Sequence, residues 1–419
     1  MGSINMEKRW LFSLILNSLV CLLLLASSLH MGLISSLYSI NAIFWRIPSH
    51  LPSNQSVSNP EFAKTNASQS LPPSVQIPRF AYLVSGSKGD LDQLWRTLRA
   101  LYHPMNQYIV HLDLESPEEE RTELASRVEN DPMFSKVGNV HMVTKANMVT
   151  YRGPTMVANT LHACSILLKK SEEWDWFINL SASDYPLVTQ DDLMSVFSDV
   201  DRNLNFIEHT SQLGWKEDKR AKPLVVDPGL YSTKKSDIFW VSPKRALPTA
   251  FTLFTGSAWM VLTRSFVEYC IWGWDNLPRT LLMYYTNFVS SPEGYFQTVI
   301  CNAPEFAKTS VNHDLHYISW GIPAGQHPRT ITINDTDMMI DSGAAFARKF
   351  KSDDAVLDRI DKELLRRKKG GFTPGGWCTG KLECSEVVNP EKLISGPGAK
   401  RLHKLVDDLV LAASHNQCK

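Results

Sequence analysis

The residues best suited to chemistry lie in one short stretch that leads to Asp184. The apolar run at residues 176–180 is predicted to be a buried strand, and the small residues 181–183 after it would let a ligand approach the backbone closely. Asp184 places a carboxylate just past the strand end, and Pro186 ends regular strand pairing. Because ligands bind outside the carboxyl ends of strands in open α/β sheets, this loop is predicted to face a bound substrate. An ordinary Asx-type turn fits the same residues equally well.

A second carboxylate, Asp113, ends another apolar run, residues 108–112, which is also predicted to be a strand. An Asp at such a position is also a common turn former. The first predicted strand, residues 80–84, runs into a loop with Gly86 and Gly89. That loop lacks the full dinucleotide-binding fingerprint and the phosphate-loop pattern, so the sequence predicts neither kind of site.

Strands and helices alternate along the first half of the globular part, which predicts an α/β fold with a largely parallel sheet. A polar, charged stretch at residues 209–231 is expected to be a long loop over the cleft. The predicted strands are residues 80–84, 108–112, 140–143 and 176–180. The predicted helices are residues 90–102, 117–128, 154–169, 264–274, 342–350, 354–367 and 402–413, and one more that starts near residue 292.

The bulk composition is that of a globular protein without a charge bias. The chain has 419 residues, of which 43% are hydrophobic, so one large or two moderate domains with a substantial core are expected. Lys and Arg together number 43, and so do Asp and Glu. A general nucleic-acid binder would show a basic excess, so that class is not favoured.

The cysteines indicate disulfides in an oxidising compartment. Cys21 lies inside an apolar segment, and the six cysteines beyond it allow up to three disulfides. Cys378 and Cys384 are close in a glycine-rich segment and are the easiest pair to bridge. They do not match a zinc pattern, because no second Cys/His pair accompanies them.

The N-terminal region is predicted to be a membrane anchor followed by a stem. Lys8 and Arg9 precede an apolar segment, so the positive-inside rule predicts a cytosolic tail at residues 1–9 and a transmembrane anchor at residues 10–30. Residues 31–79 are expected to form the stem and residues 80–419 the globular part, which the resemblance described below makes the catalytic domain. A cleaved signal peptide is the alternative interpretation.

Glycosylation sequons occur at Asn54, Asn66 and Asn334. A fourth match, Asn179, falls in a predicted buried strand and is therefore not expected to carry a glycan.

Six short motifs, each occurring once, follow one another between residues 80 and 350. They are VHLD at 110–113, FINLSASDYP at 177–186, GSAW at 256–259, RSFVEY at 264–269, SPE at 291–293 and FARKF at 346–350. Together they resemble the core-2/I-branching enzymes, glycosyltransferase family 14, and most closely its plant glucuronosyltransferase branch. The chain is also similar to peptide O-xylosyltransferases.

This resemblance implies a single-pass type II Golgi membrane protein whose catalytic domain has a GT-A-like fold and lies in the lumen. It also implies an inverting transfer from a UDP-sugar to a glycan or glycoprotein acceptor. The family works without a metal cofactor, so none is expected. Two Asp-x-Asp triplets, at residues 90–92 and 335–337, are attributed to chance.

The resemblance assigns the chemistry of transfer to a carboxylate and a set of cations. Glu293 matches the general base that deprotonates the acceptor hydroxyl, although a carboxylate at a helix start also serves the helix dipole. Arg348 and Lys349 match a basic pair that stabilises the leaving diphosphate, with Arg329 as a weaker donor-binding candidate. A solvated basic patch is the alternative for that pair.

Three further residues are assigned to substrate binding by the same resemblance. Asp113 and Asp184 are expected to contact the donor, and Trp320 the acceptor, since a flat indole suits the apolar face of a sugar. Turn-forming aspartates and a core tryptophan are the alternatives. Gly321 stands where plant members often have Asp, and Ala258 where xylosyltransferases carry Asp. Both departures bear on the identity of the acceptor, and the second argues against xylosyl transfer.

The function predicted from these residues is a β-glucuronosyltransferase that moves glucuronic acid from UDP-glucuronic acid to galactan chains of arabinogalactan proteins. Within the enzymes, transfer of N-acetylglucosamine or xylose is the alternative. From another class, the alternative is a non-catalytic, membrane-tethered glycan-binding protein. A base together with a diphosphate clamp favours an enzyme, because binding alone requires neither.

Overall fold

The computed structural model describes residues 76–413 and Cys418, except for residues 233, 235, 322–326, 379–383 and 385. The predicted tail, anchor and most of the stem lie outside the described residues, as do Asn54 and Asn66. Among the residues that are described, no helix is long and apolar enough to cross a membrane.

A seven-stranded, mostly parallel sheet forms the centre of the described part of the chain. Its strands are β1 (Phe80–Gly86), β2 (Gln107–Leu112), β3 (Val140–Met142), β4 (Trp176–Ser181), β6 (Asn205–Ile207), β9 (Met260–Thr263) and β10 (Ser310–Val311). They lie in the order β10-β6-β9-β4-β1-β2-β3, and only β9 pairs antiparallel with its neighbours. The predicted α/β class with a largely parallel sheet is confirmed.

Helices cover both faces of this sheet because its strands are apolar on both faces. Tyr82 and Val84 of β1 point into one core cluster, and Ala81 and Leu83 point into the other. A strand that is buried on both sides is typical of parallel sheets. The helices are α1 (Leu91–Leu101), α2 (Glu118–Asn130), α3 (Pro132–Val137), α4 (Thr155–Lys170), α5 (Gln190–Phe197), α6 (Arg264–Trp272), α7 (Leu277–Tyr285), α8 (Tyr295–Asn302), α9 (Pro304–Ala307), α10 (Thr336–Asp341), α11 (Ala355–Glu363) and α12 (Pro397–Ala413).

A second, three-stranded sheet consists of β5 (Asp184–Pro186), β11 (His316–Ile318) and β12 (Phe346–Arg348), with β12 in the middle. The helix predicted at residues 342–350 is wrong. Helix α10 ends at Asp341, and the chain turns at Gly343, whose φ is +69°. Ala347 and Phe350 are then buried with Tyr185, so tertiary pairing decides the local structure here.

The predicted long loop at residues 209–231 is partly structured. It contains a π-helical turn, Glu217–Ala221, and the strand β7 (Leu224–Val226), which pairs antiparallel with β8 (Phe239–Val241). Val225 is the buried residue of β7 and packs with Ile238 and Val289. One buried residue among polar neighbours gives too weak a pattern to predict a strand.

Two disulfides are present among the described cysteines. The bridge between Cys378 and Cys384 confirms the prediction for that pair. A second bridge joins Cys301 in α8 to Cys418 near the C-terminus. Cys164 and Cys270 are unpaired and buried, so the third possible disulfide does not form.

Candidate active site

Asp184 lies at the start of β5, fully buried, just after the carboxyl end of β4. One of its oxygens accepts hydrogen bonds from the backbone N–H and the hydroxyl of Ser181, the latter at 2.9 Å. Its other oxygen accepts from Trp259 Nε1 at 3.2 Å and lies 3.1 Å from Arg348 Nε. The turn interpretation therefore describes its geometry, and its prediction as a donor contact stays a prediction. The geometry would let Asp184 act on a donor by positioning Arg348.

Arg348 is the last residue of β12, and Lys349 follows it. The antiparallel register of β12 with β5 pairs Arg348 with Asp184. The Arg348 guanidinium lies 3.9 Å from the centroid of the Trp259 ring, and its side chain is 17% exposed. Lys349 is half-buried and forms no salt bridge with any residue in the described part of the chain. The pair thus offers one cation in a fixed orientation and one that no described carboxylate engages.

Glu293 ends a short 3₁₀ turn, Ser291–Glu293, directly before α8, and its side chain is 15% exposed. Its Oε1 accepts a hydrogen bond from Tyr151 at 2.8 Å. Its Oε2 accepts from Lys216 at 3.1 Å and also from Arg220. Burial alone would raise the pKa of Glu293, but Arg220 and Lys216 outweigh it and hold the pKa below its ordinary value. The carboxylate is therefore ionised at neutral pH.

The π-helical turn at residues 217–221 helps position the cations around Glu293. Lys216 is the residue before this turn, and Arg220 lies within it. Turns of this kind are rare and are frequent at functional sites. Both side chains are mostly buried, at 22% and 16% exposed.

Tyr151 connects the Glu293 carboxylate with the cations of β12. Tyr151 is 38% exposed, but desolvation by its neighbours and the nearby Glu293 raise its pKa, while Arg348 and Arg220 oppose the rise. The phenol thus stays protonated and donates to the carboxylate. Tyr151 is hydrogen-bonded to Glu293 and lies close enough to Arg348 for that cation to act on its pKa, so the predicted base and the predicted diphosphate clamp lie around one phenol, in the region that we call the cleft.

Glu208 is a second carboxylate near Glu293, and it is exposed at the surface. Desolvation by the surrounding protein and repulsion from Asp314 raise its pKa, Lys216 opposes the rise, and Glu293 adds to it. The Glu208 carbonyl lies so close to Gly256 that a Cβ at that glycine would be 1.7 Å from the oxygen. Only glycine fits there, which explains the first residue of the GSAW motif.

The remaining predicted site residues lie in different settings. Asp113 is buried at the end of β2, where its Oδ1 accepts from Ser87 and from the Glu115 N–H, both at 3.0 Å. Arg329 is paired with Asp335 through both guanidinium nitrogens, one at 2.8 Å. The described contacts link neither of them to Glu293, so their donor-binding roles stay predictions.

The pairing of Arg329 has a consequence for the Asp-x-Asp triplet at residues 335–337. Hydrogen bonding to Arg329 lowers the pKa of Asp335 to about 2. The carboxylate is therefore already matched to a cation within the protein. Asn334 next to it is exposed, whereas Asn179 is buried and donates to the Ala258 carbonyl at 2.8 Å. The expectation that Asn179 carries no glycan fits this burial.

Trp320 lies just beyond β11 and is 49% exposed, so the core alternative for this residue is wrong. Sequence reasoning missed four residues of the cleft, namely Tyr151, Lys216, Arg220 and Glu208. For the two cations, the one available signal is the polar stretch at residues 209–231, which predicts a loop over the cleft but not which of its side chains face it.

Comparisons with known proteins agree with the motif analysis. Residues 80–339 match the family model described as Branch: Core-2/I-Branching enzyme. The chain is 61% identical over 349 residues to Beta-glucuronosyltransferase GlcAT14A of Arabidopsis thaliana, covering 82% of this chain and 78% of the relative. It is 55% identical over 414 residues to Beta-glucuronosyltransferase GlcAT14B of the same plant, covering 97% and 94%. Xylosyltransferase 2 of Canis lupus familiaris is 29% identical over 318 residues, or 71% of this chain and 34% of that protein.

Proposed function

The chain belongs to the core-2/I-branching enzyme family and is a glycosyltransferase, and on that premise we propose that it transfers glucuronic acid from UDP-glucuronic acid with inversion. The observation that carries the proposal is the Glu293 carboxylate, which two cations and Tyr151 hold, with Arg348 close enough to act on the same Tyr151 phenol. The choice of glucuronic acid rests on the names of the plant relatives.

In the proposed reaction, an acceptor hydroxyl attacks the anomeric carbon of the donor from the face opposite UDP. The new C–O bond forms as the bond to the UDP oxygen breaks, and Glu293 takes the hydroxyl proton. Its lowered pKa keeps the carboxylate free of a proton before the acceptor arrives. Lys216 and Arg220 can exchange part of their contact with Glu293 for the acceptor hydroxyls as the carboxylate becomes protonated.

The leaving UDP carries the electron pair of the broken bond, so its diphosphate gains negative charge. We propose that Arg348 and Lys349 stabilise this charge and that transfer needs no metal ion. Asp184 and Trp259 hold Arg348 from two sides, which fixes the guanidinium before the donor binds. A fixed cation costs no reorganisation during reaction, and this is what makes such stabilisation effective.

The acceptor is proposed to be the galactan chains of arabinogalactan proteins, with the reaction in the Golgi lumen. The catalytic domain would have a GT-A-like fold and be tethered by the predicted anchor at residues 10–30. Ala258 and Gly321 are the departures that bear on the acceptor.

A donor panel tests this proposal. The purified full chain is incubated with galactan oligosaccharide and, in turn, UDP-glucuronic acid, UDP-N-acetylglucosamine or UDP-xylose, and acceptor-dependent UDP release is measured. Turnover mainly with UDP-glucuronic acid supports the proposal. Turnover mainly with another donor would show that a different sugar is transferred, while the proposed type of reaction would still hold. Glycan binding without turnover on any donor would favour the non-catalytic alternative.

A further inference from the structure

Two exposed tryptophans lie beside the cleft that holds Glu293. Trp215 is 61% exposed and Trp240 is 54% exposed. An arginine lies against each ring, with Arg220 Cζ 5.1 Å from the centroid of Trp215 and Arg152 Cζ 5.7 Å from that of Trp240. Each indole is therefore supported by a cation and still open to solvent.

The two rings are connected to Glu293 by separate routes. On one route, the arginine that supports Trp215 is also the ion-pair partner of Glu293 Oε2. On the other, Tyr151 donates to Oε1, and the next residue, Arg152, supports Trp240. The Arg152 carbonyl also accepts from Ser290 N–H at 2.8 Å, directly before the turn that carries the carboxylate. Both rings are thus held by the elements that position Glu293.

We infer that Trp215 and Trp240 are stacking platforms for an extended oligosaccharide acceptor, so that the enzyme binds several sugar units around the one that reacts. This inference rests on the proposed function, because it requires a sugar acceptor at Glu293. A sugar ring has an apolar C–H face and a rim of hydroxyls. A flat indole suits the face, and charged groups nearby suit the rim.

The charges around the rings favour a carbohydrate over an apolar protein partner. Arg152 forms an ion pair with Asp237 at 2.9 Å, so charged groups stand next to Trp240. Protein interfaces are enriched in tryptophan and arginine but depleted of aspartate and glutamate, so the Asp237 carboxylate is the group that argues against a protein partner. Hydroxyl groups can hydrogen-bond to both members of the ion pair, and a sugar chain supplies them along its whole length.

The experiment compares Trp240→Ala and Trp215→Ala with the control Trp272→Ala in the full chain. Trp272 is similarly exposed, at 55%, but lies at the end of α6, outside the segments that carry Tyr151, Trp215 and Trp240. The KM for a short and for a long galactan oligosaccharide is measured with saturating UDP-glucuronic acid. Removing each platform is expected to raise the KM for the long acceptor on the order of tenfold, and that for the short one by less.

Further measurements distinguish sugar stacking from a structural or membrane-binding role of these tryptophans. UDP affinity and thermal unfolding should match the wild type in every variant, and Trp240→Phe should recover part of the acceptor affinity because it keeps a ring. Equal KM values in Trp240→Ala and the wild type for both acceptors would overturn the inference, as would an equal loss for both lengths. Weaker binding of Trp240→Ala than of the wild type to lipid vesicles, with unchanged KM, would make this surface a membrane contact in addition to the predicted anchor and would overturn the inference. If the wild type transfers no sugar but binds the long oligosaccharide, and Trp240→Ala weakens that binding, the proposed function fails and the platforms stand.

Discussion

Replacing Glu293 by Gln tests the proposed base with the least change of shape. The amide keeps the volume of the carboxylate, and its oxygen can still accept from Lys216 or Arg220 while its NH₂ group faces the Tyr151 oxygen. What it cannot do is take the acceptor proton. Loss of a general base typically costs about 100- to 10,000-fold in rate, or roughly 3–5 kcal/mol in the transition state.

The same substitution costs less in stability than in rate. Arg220 and Lys216 lose an ionised partner in a mostly buried setting, but each retains access to the amide oxygen. A hydrogen bond to a charged group contributes about 1.5–3 kcal/mol, so the free energy of unfolding should fall by at most about that amount. This is a fraction of the stability of a typical domain, so the variant should fold.

The assay is acceptor-dependent UDP release at saturating donor, with UDP affinity measured separately by calorimetry. We expect turnover to fall while UDP affinity stays near the wild-type value, because Arg348 and Lys349 are unchanged. Glu268→Gln is the matched control: it removes a carboxylate that pairs with Arg264 at 2.9 Å in α6, outside the cleft. Its turnover should be normal.

The pH profile gives an independent check on Glu293. The cations around it outweigh burial and lower its pKa below 4.5, so its ion pairs are fully present above that value and are lost as pH falls through the lowered pKa. The activity of the wild type should therefore persist below pH 4.5 and decline only when Glu293 becomes protonated at its lowered pKa. Near-normal turnover in Glu293→Gln would refute the reasoning. Glu208 would then be the next carboxylate to test, because Asp184 is buried and engaged.

Four further outcomes are expected. Arg348→Ala with Lys349→Ala should mainly weaken use of the UDP-sugar, and unchanged donor affinity and turnover in this double variant would rule out the clamp. Activity should survive chelation by EDTA, whereas complete loss that added metal restores would show a metal site in the reaction. Changing Cys301 and Cys418 to Ser should lower the free energy of unfolding by about 2–5 kcal/mol, measured by denaturant titration without reductant, and an unchanged midpoint would show that the bridge contributes nothing. The full chain should stay in the membrane fraction after alkaline extraction through residues 10–30, and an N-terminally trimmed soluble product would support a cleaved signal peptide instead.

The central sheet was predictable because its strands have a clear local pattern. Residues 80–84 and 176–180 are short apolar runs bounded by polar or small residues, and they form the first five residues of β1 and β4. Strand β12 was not predictable in this way. Its three residues, Phe346–Arg348, form a strand because they pair with β5 and β11, which are distant in sequence. A local sequence pattern does not contain information about such distant pairing partners.

The site residues also differ in how far a local sequence pattern could predict them. Glu293 and Arg348 lie in short motifs, so a resemblance was enough to single them out. Tyr151, Lys216 and Arg220 lie in polar segments without periodicity, where each side chain looks like ordinary solvated surface. Only the folded chain shows that all three hold one carboxylate.

The pairing of β5 with β12 also bears on how the protein is made. When β5 leaves the ribosome, more than a hundred residues separate it from its partner strand, so its edge is unpaired and open to wrong partners. Arg348 meets Asp184 only when β12 has been synthesised, and a chain cut before residue 346 would contain Glu293 but not the proposed diphosphate clamp. A nucleotide that binds through Arg348 can stabilise only chains that have completed this pairing. UDP would then bind only chains in which β5 and β12 are paired, and adding it during refolding should raise the yield of active enzyme.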